Sequence, residues 1–458
     1  MSSASRRLLS TITVKPTPSK AHLHRSIPDT AFPQGFRLTG VHCGVKKSAQ
    51  ALDLGVIIST TPKPASAAAC FTKNAFVAAP VVVSKAVLEG NSGTARALVV
   101  NSGCANAVTG KQGMENAWSM ARETDKLITE HSGGANEQTL VMSTGVIGQQ
   151  LPISKIISGI QGSTNTFGTN FDAWERTALA FMTTDTFPKL RARTFKINGQ
   201  EYRMAGMDKG AGMIHPNMGP PGPPHATLLG CILTDVAITP KSLQSALTHA
   251  VERSFNSISV DGEMSTNDTI VVLANGAAAA SDTKAIDEHA DPEAFATFRE
   301  ELKDFAIELA QLVVRDGEGA TKFVTVTVKG APTYEDAHKV ASRVSTSALV
   351  KTALYGEDAN WGRVLSATGS IQLSRPLDPT AVSVTFIPPP TSANTAPLPV
   401  LINGEPESVD EQRASEIMAN EEFEILIDLG LPGAQGVAQY WTCDFSYDYV
   451  RINGDYRS

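Results

Sequence analysis

The chain lacks any uncharged apolar run near the ~18 residues that a membrane-spanning helix needs, so it offers no candidate span. Cysteine is scarce. Cys43, Cys70, Cys104, Cys231 and Cys443 are odd in number, widely spaced and without a CxxC pair. That pattern argues against a disulfide framework or a zinc site and fits a reducing compartment. Positive charge is short too: 39 Lys and Arg stand against 46 Asp and Glu, a formal net charge of −7. Non-specific nucleic-acid binding would call for the opposite balance. No internal repeat is present.

What is there is an ordinary globular composition, 42% apolar and 19% charged over 458 residues. That length suits two or three domains, or one large two-lobed unit. The first 25 residues stand apart. They hold Arg6, Arg7, Lys15, Lys20 and Arg25, many Ser and Thr, and no acid before Asp29. This is the composition of a mitochondrial transit peptide, and it has no apolar stretch of the secretory kind. Losing residues 1–25 would remove five positive charges and take the net from −7 to −12. A disordered tail with no address would have the same composition.

The central stretch runs from Met207 to Asp235. Its segment Gly219-Pro220-Pro221-Gly222-Pro223-Pro224 is expected to be a loop or an extended surface segment. Ala226–Leu233 follows, a short apolar run that predicts a buried strand, with Ala226-Thr227 at the junction of loop and strand. A chain cut between Ala226 and Thr227 would leave a Thr as a new N-terminus on a rigid element. Such a Thr carries its own base, because an α-amine of pKa ~7.7–8 lies beside the hydroxyl. A plain loop leading into a core strand would read the same way.

Upstream, Val56–Ile58, Pro80–Val83 and Ala97–Val100 are short apolar runs that predict a strand-rich lobe over residues 34–110. The last run feeds NSGCANAVTG (101–110), a polar turn able to present backbone N–H and amide groups, or simply an ordinary turn. A helix is expected around Gln112–Thr129. In STGVIG (143–148), Gly145 permits a tight turn whose N–H groups, beside the Thr144 hydroxyl, would suit an oxyanion. Phe181–Thr186 offers three hydroxyls and a carboxylate, a pattern also common in helix caps. Downstream, Thr239-Pro240, Asp291-Pro292 and Thr333 look like helix starts. The second of these opens an amphipathic stripe of Phe295, Phe298, Leu302, Phe305, Leu309 and Leu312. DGEGATK (316–322) precedes a strand, the reverse of a P-loop's order, and lacks its GxxxxGK[ST] spacing. Glu318 there reads as a carboxylate on a turn, suited to an ammonium group, or as part of a plain helix-to-strand connection. Residues 387–398 predict a surface excursion and Glu424–Leu429 a strand. Short strands alternating with capped helices in both halves point to an α/β layered architecture.

Taken together, NSGCANAVTG, STGVIG, KGAGMIHPNM (209–218), ATLL (226–229), SFNSISVDGEMSTNDT (254–269), DGEGATK, GEDANWGR (356–363) and the closing N-x-x-Y-R-S resemble the glutamate N-acetyltransferase (ornithine acetyltransferase) family of arginine biosynthesis. The likeness spans residue 34 to the C-terminus. It implies an α/β (α+β) sandwich of β-sheets flanked by helices, shared with certain N-terminal-nucleophile aminopeptidases. It also implies a precursor that cuts itself between Ala226 and Thr227, giving an α chain (26–226) and a β chain (227–458). These stay associated, with a dimer of such pairs as a further expected assembly. The resemblance makes Thr227 the nucleophile, with Thr144 and Gly145 as the oxyanion hole. Substrate contacts carry over to Thr183, Lys209, Thr227, Glu318, Asn453 and Ser458.

The substrates implied are N-acetylornithine and glutamate, with acetyl-CoA as a second acetyl donor in organellar members. No metal or organic cofactor, nucleic acid or membrane is implied, and the expected compartment is the mitochondrial matrix. Lys209 would suit a substrate carboxylate and Glu318 the ornithine ammonium. His215 and His225 are expected to be structural, since the new α-amine supplies the base. One departure stands out: GPPGPPH (219–225) intervenes where the simpler family pattern runs straight from HPNM into Ala-Thr. An aminopeptidase or amidase that uses water as the acceptor is the alternative reading.

Overall fold

The computed structural model describes residues 15–132, 137–221, 228–280 and 283–454. Ala226, Thr227, His225 and Ser458 lie outside these, as do residues 1–14. Along the chain the first elements are β1 (Phe36–Val41), β2 (Leu54–Ser59), β3 (Ala65–Thr72), α1 (Ala79–Gly90), β4 (Thr94–Ala95), β5 (Ala97–Cys104), α2 (Gly110–Ser132), β6 (Thr139–Val146), α3 (Ile153–Gly162) and α4 (Phe171–Phe181). Next come β7 (Lys189–Ile197), β8 (Gln200–Lys209), β9 (Met218–Gly219), β10 (Leu229–Thr234), α5 (Pro240–Glu252), β11 (Ile258–Ser259), β12 (Thr269–Ala274) and α6 (Pro292–Arg315). The remainder are β13 (Phe323–Ala331), α7 (Tyr334–Ser345), α8 (Ala348–Gly356), α9 (Trp361–Gly369), β14 (Ser383–Ile387), β15 (Leu398–Ile402), β16 (Glu405–Pro406), α10 (Glu411–Ala419), β17 (Glu422–Asp428), β18 (Gly436–Cys443) and α11 (Tyr447–Gly454).

Three sheets form among the described residues. The first has the order β1-β2-β5-β6, the second β4-β3-β12-β10-β8-β7 with β9 on β3, and the third β11-β18-β13-β17-β14-β15-β16. Helices α1 and α4 pack on the first sheet, while α5 and α6 cover the second and α7 the third. The expected α/β layering is therefore observed. Strand alternation divides the core at the second sheet. Leu229, Cys231 and Leu233 face the cluster shared with the first sheet, whereas Ile232 faces the one under α5 and α6.

Most element expectations are met for local reasons. The Asp291 side chain caps α6 by accepting from the Ala294 N–H, and Thr333 caps α7 from Asp336. All six residues of the α6 stripe are buried. Thr239 sits at the start of α5 but bonds Ser242 and Asp287 instead of capping. The run Pro80–Val83 is a correction: it opens helix α1, not a strand. Pro belongs in a first helical turn, where its missing N–H costs nothing. Val81, Ser84, Val87 and Leu88 then bury one face at helical spacing.

Candidate active site

The first wall is the end of the parallel β5–β6 pair. Ser102 stands opposite Thr144 and Gly103 opposite Gly145, after which the register slips. Gly145 has φ +126° and Gly103 φ +107°, and a Cβ on Gly145 would run into the Gly103 backbone. Only glycine lets β6 turn here. The polar groups of the 101–110 turn are engaged internally. Asn101 Nδ2 donates to Cys104 O (2.9 Å), and Ser143 Oγ donates to Asn101 Oδ1 (2.6 Å). Asn267 Nδ2 braces the same corner through Ala105 O and Ser143 O (2.6 and 2.8 Å). That turn braces Gly145, and none of its residues lines the cavity described below.

The second wall is the end of β8. Ala205 and Met207 face the first sheet's cluster, and two-residue alternation sends Lys209 the same way. Its Nζ donates to Thr144 Oγ1 at 3.2 Å. Burial pulls the Lys209 pKa below the ordinary lysine value, with Asp185 opposing the shift and Lys189 reinforcing it. Leu229, at the start of β10, pairs with Lys209 on one side and Thr269 on the other. Leu228 is buried, and its carbonyl accepts from the Thr269 N–H at 2.5 Å. The strand that follows position 227 thus begins beside Lys209.

The third wall comes from the α6–β13 turn and the last helix. Gly319 at φ +71° bends the turn, and the Glu318 N–H donates to Ala211 O at 2.8 Å. Asn453 Nδ2 of α11 donates to Glu318 Oε2 at 2.7 Å. Gly212 lies so close to Glu318 that a Cβ there would strike its carboxylate. Together Thr144, Gly145, Thr183, Lys209, Glu318 and Asn453 line one cavity of about 330 Å³. Six sequence-expected site residues are therefore brought together, while Ala226, Thr227 and Ser458 fall outside the described residues.

A buried ionic cluster ties these walls to one another. Lys189 Nζ, 0% exposed, reaches Asp185 Oδ1 (2.5 Å) and Asp316 Oδ2 (2.6 Å). Asp185 also accepts from the Thr183 N–H (2.9 Å) and the Gly210 N–H (2.8 Å), and Asp316 accepts from the N–H and hydroxyl of Thr186. Burial alone would raise the Asp185 pKa, yet the Lys189 and Lys209 ammonium groups hold it below the usual carboxylate range. Burial likewise opposes the charge on Lys189, but Asp185 and Asp316 hold its pKa above the lysine value.

Sequence reasoning missed this cluster and two further braces. Asp261 accepts from the N–H groups of Met213 (2.6 Å) and Ile214 (2.9 Å) and from Tyr449 Oη (3.2 Å). Asp444 accepts from the N–H groups of Thr321 (2.8 Å) and Lys322 (2.9 Å) and from Thr321 Oγ1 (2.6 Å). The available signal was an Asp inside a quoted segment for Asp185, Asp261 and Asp316, and none for Asp444. His215 is structural, with its Nδ1 paired to Tyr440 Oη at 3.0 Å. No group of three His, Cys, Asp or Glu among the described residues is placed to hold a metal, and no described helix is long and apolar enough to cross a membrane.

A half-open cavity of this size, with a glycine turn, the buried Lys209 and a hydrogen-bonded carboxylate converging on it, has the form of a small-molecule site. The ArgJ family profile matches residues 37–458, and the chain belongs to that family. Among its relatives, "Arginine biosynthesis bifunctional protein ArgJ, mitochondrial" of Postia placenta is 68% identical over 99% of this chain and 98% of its own length. The protein of the same name from Laccaria bicolor is 67% identical over 99% of both chains. The crystal structure of arginine biosynthesis bifunctional protein ArgJ from Bacillus halodurans is 35% identical, covering 48% of this chain and 96% of its own, with a TM-score of 0.42. As in its fungal relatives, the compartment is the mitochondrion.

Proposed function

We propose that the protein transfers the acetyl group of N-acetylornithine to glutamate in the mitochondrial matrix, through an acetyl ester on Thr227. The observation that carries this reading is the convergence of Thr144, Gly145, Thr183, Lys209, Glu318 and Asn453 on one cavity. Self-cleavage comes first. The Thr227 hydroxyl attacks the Ala226 carbonyl, the peptide nitrogen leaves as an amine, and water hydrolyses the resulting ester. The chain then exists as an α piece ending at Ala226 and a β piece starting at Thr227.

In the transfer, the Thr227 α-amine takes the hydroxyl proton as Oγ attacks the acetyl carbonyl. Thr144 and Gly145 stabilise the oxyanion. The C–N bond breaks, the proton goes to the departing nitrogen, and ornithine leaves. The glutamate amine then attacks the ester to give N-acetylglutamate and free Thr227. Lys209 pairs with the substrate α-carboxylate, which both amino acids share. Glu318, held by Asn453, takes the ornithine side-chain ammonium. Relatives are named bifunctional, and acetyl-CoA is the second donor proposed here. Incubation with N-acetylornithine, with and without glutamate, tests the reading: without glutamate, ornithine release should stop at one equivalent per enzyme, and continued turnover should need glutamate. Acetate released regardless of glutamate would mark a hydrolase instead.

A further inference from the structure

The basic segment Lys15–Arg25, expected to belong to the import leader, is built into the folded body. Lys15 pairs with Glu357 (2.7 Å), and its backbone N–H donates to Tyr355 Oη (3.3 Å). Thr17 Oγ1 donates to Asp448 Oδ2 (2.7 Å). Lys20, only 8% exposed, meets Glu421 at 2.5 Å. Further along, Leu23 O accepts from Arg191 (2.9 Å), and His24 lies 2.7 Å from Glu175. The first four partners lie downstream of position 227 and the last two upstream. The segment therefore laces the future β piece to the α piece.

Its location is also informative. Thr17–Ala21 form one side of a cavity of about 520 Å³ whose other side includes Thr184, Asp316 and Glu318. Thr184 and Glu318 line the catalytic cavity as well. Asp448, the anchor of Thr17, belongs to α11, the helix that carries Asn453. Exposed ion pairs contribute little singly, and Glu421 is itself half exposed, but Lys20 is buried and several anchors here act on one short segment. A leader that is threaded unfolded through a membrane and then clipped has no need of such a seat.

We propose that Lys15–Arg25 is a retained strap that backs the wall holding Glu318 and Asn453, and that import processing ends N-terminal to Lys15. The part of this proposal that concerns catalysis rests on the acetyltransferase reading; the processing part does not. N-terminal sequencing of the α piece from native mitochondria should find a first residue at or before Lys15. A first residue at 16 or later would overturn the proposal whatever the activity proves to be.

Enzyme starting at Lys15 should match the full-length chain in N-acetylornithine turnover. Enzyme starting at Ser26 should show KM raised by roughly 5- to 10-fold, the scale of one lost hydrogen bond, with a smaller change in kcat. Because the Ser26 form could fail to fold, Thr17→Val in the full chain supplies a second readout, with KM raised and kcat kept. Wild-type KM in Thr17→Val, or in a folded Ser26 form, would show the strap to be inert and refute its role. If the wild-type enzyme itself does not turn over N-acetylornithine, the functional reading fails while the processing result still stands.

Discussion

Gly145, proposed as part of the oxyanion hole, shows how tightly one residue can be specified. Its positive φ and its contact with the Gly103 backbone leave no room for a side chain. Gly145→Ala should lower kcat by ~10²–10³, the usual cost of a lost oxyanion donor. Near-normal kcat in that variant would remove the oxyanion assignment. Glu318 is proposed to bind the substrate ammonium and not to react. Glu318→Gln should raise KM for N-acetylornithine by roughly 10- to 100-fold, as expected for one charge-assisted bond, and affect glutamate less. Unchanged affinity for N-acetylornithine would sink the ammonium role.

Lys209 adds a pH signature. Its pKa lies below the lysine norm because it is buried, and its ammonium form is the one that binds carboxylates. If Lys209 binds the substrate carboxylate as proposed, affinity should be present at low pH and lost as pH rises through the depressed pKa, ahead of an ordinary lysine near ~10.4. Lys209→Arg keeps the charge, so the basic limb of its kcat/KM profile should move upward. The same limb in both enzymes would mean that another group titrates.

At the scale of elements, the site depends on three segments locked at fixed spacing. Lys189 joins Asp185, which holds the Thr183 and Gly210 backbones, to Asp316, two residues before Glu318. Removing the lysine would leave two buried carboxylates without their cation, a change that typically costs ~3–5 kcal/mol. Lys189→Met should therefore lower the denaturation midpoint and weaken binding even though it touches no substrate. The lowered Asp185 pKa contributes stability above its unfolded value, near ~3.9, that fades as pH falls through the folded one. The raised Lys189 pKa contributes stability below ~10.4 that fades as pH rises through the folded value. The variant's deficit should thus be largest between these limits, and equal stability near neutral pH would dismiss the clamp.

For the whole molecule, the decisive question is whether the chain is one piece or two. Denaturing electrophoresis with mass spectrometry of the purified protein should give two fragments meeting between Ala226 and Thr227. Thr227→Ala should run as a single chain without transferase activity. An intact wild-type polypeptide that transfers acetyl groups at full rate would end the mechanism proposed here. Retention of both fragments is expected from the second sheet, where β10 of the β piece lies between β8 of the α piece and β12. Separation would break that ladder and expose Leu229, Cys231 and Leu233, all buried.

Short-range features were legible in the sequence because their causes lie within a few residues. Asp291 caps the turn it precedes, Pro292 suits a first helical turn, and the α6 stripe repeats by three and four. The same local view mistook Pro80–Val83 for a strand, because β-branched residues suit either state until a neighbouring layer claims one face. The site was legible as separate motifs, each indistinguishable from an ordinary turn until the family likeness joined them. Their meeting was decided by tertiary structure. Lys209 reaches Thr144 across 65 residues because of strand alternation and sheet stacking, and Asn453 reaches Glu318 across 135 through helix docking. The Asp185–Lys189–Asp316 cluster was invisible for the same reason. Whether a charge is a surface ornament or a buried clamp depends on which layers close over it, and that is a property of packing, not of order along the chain.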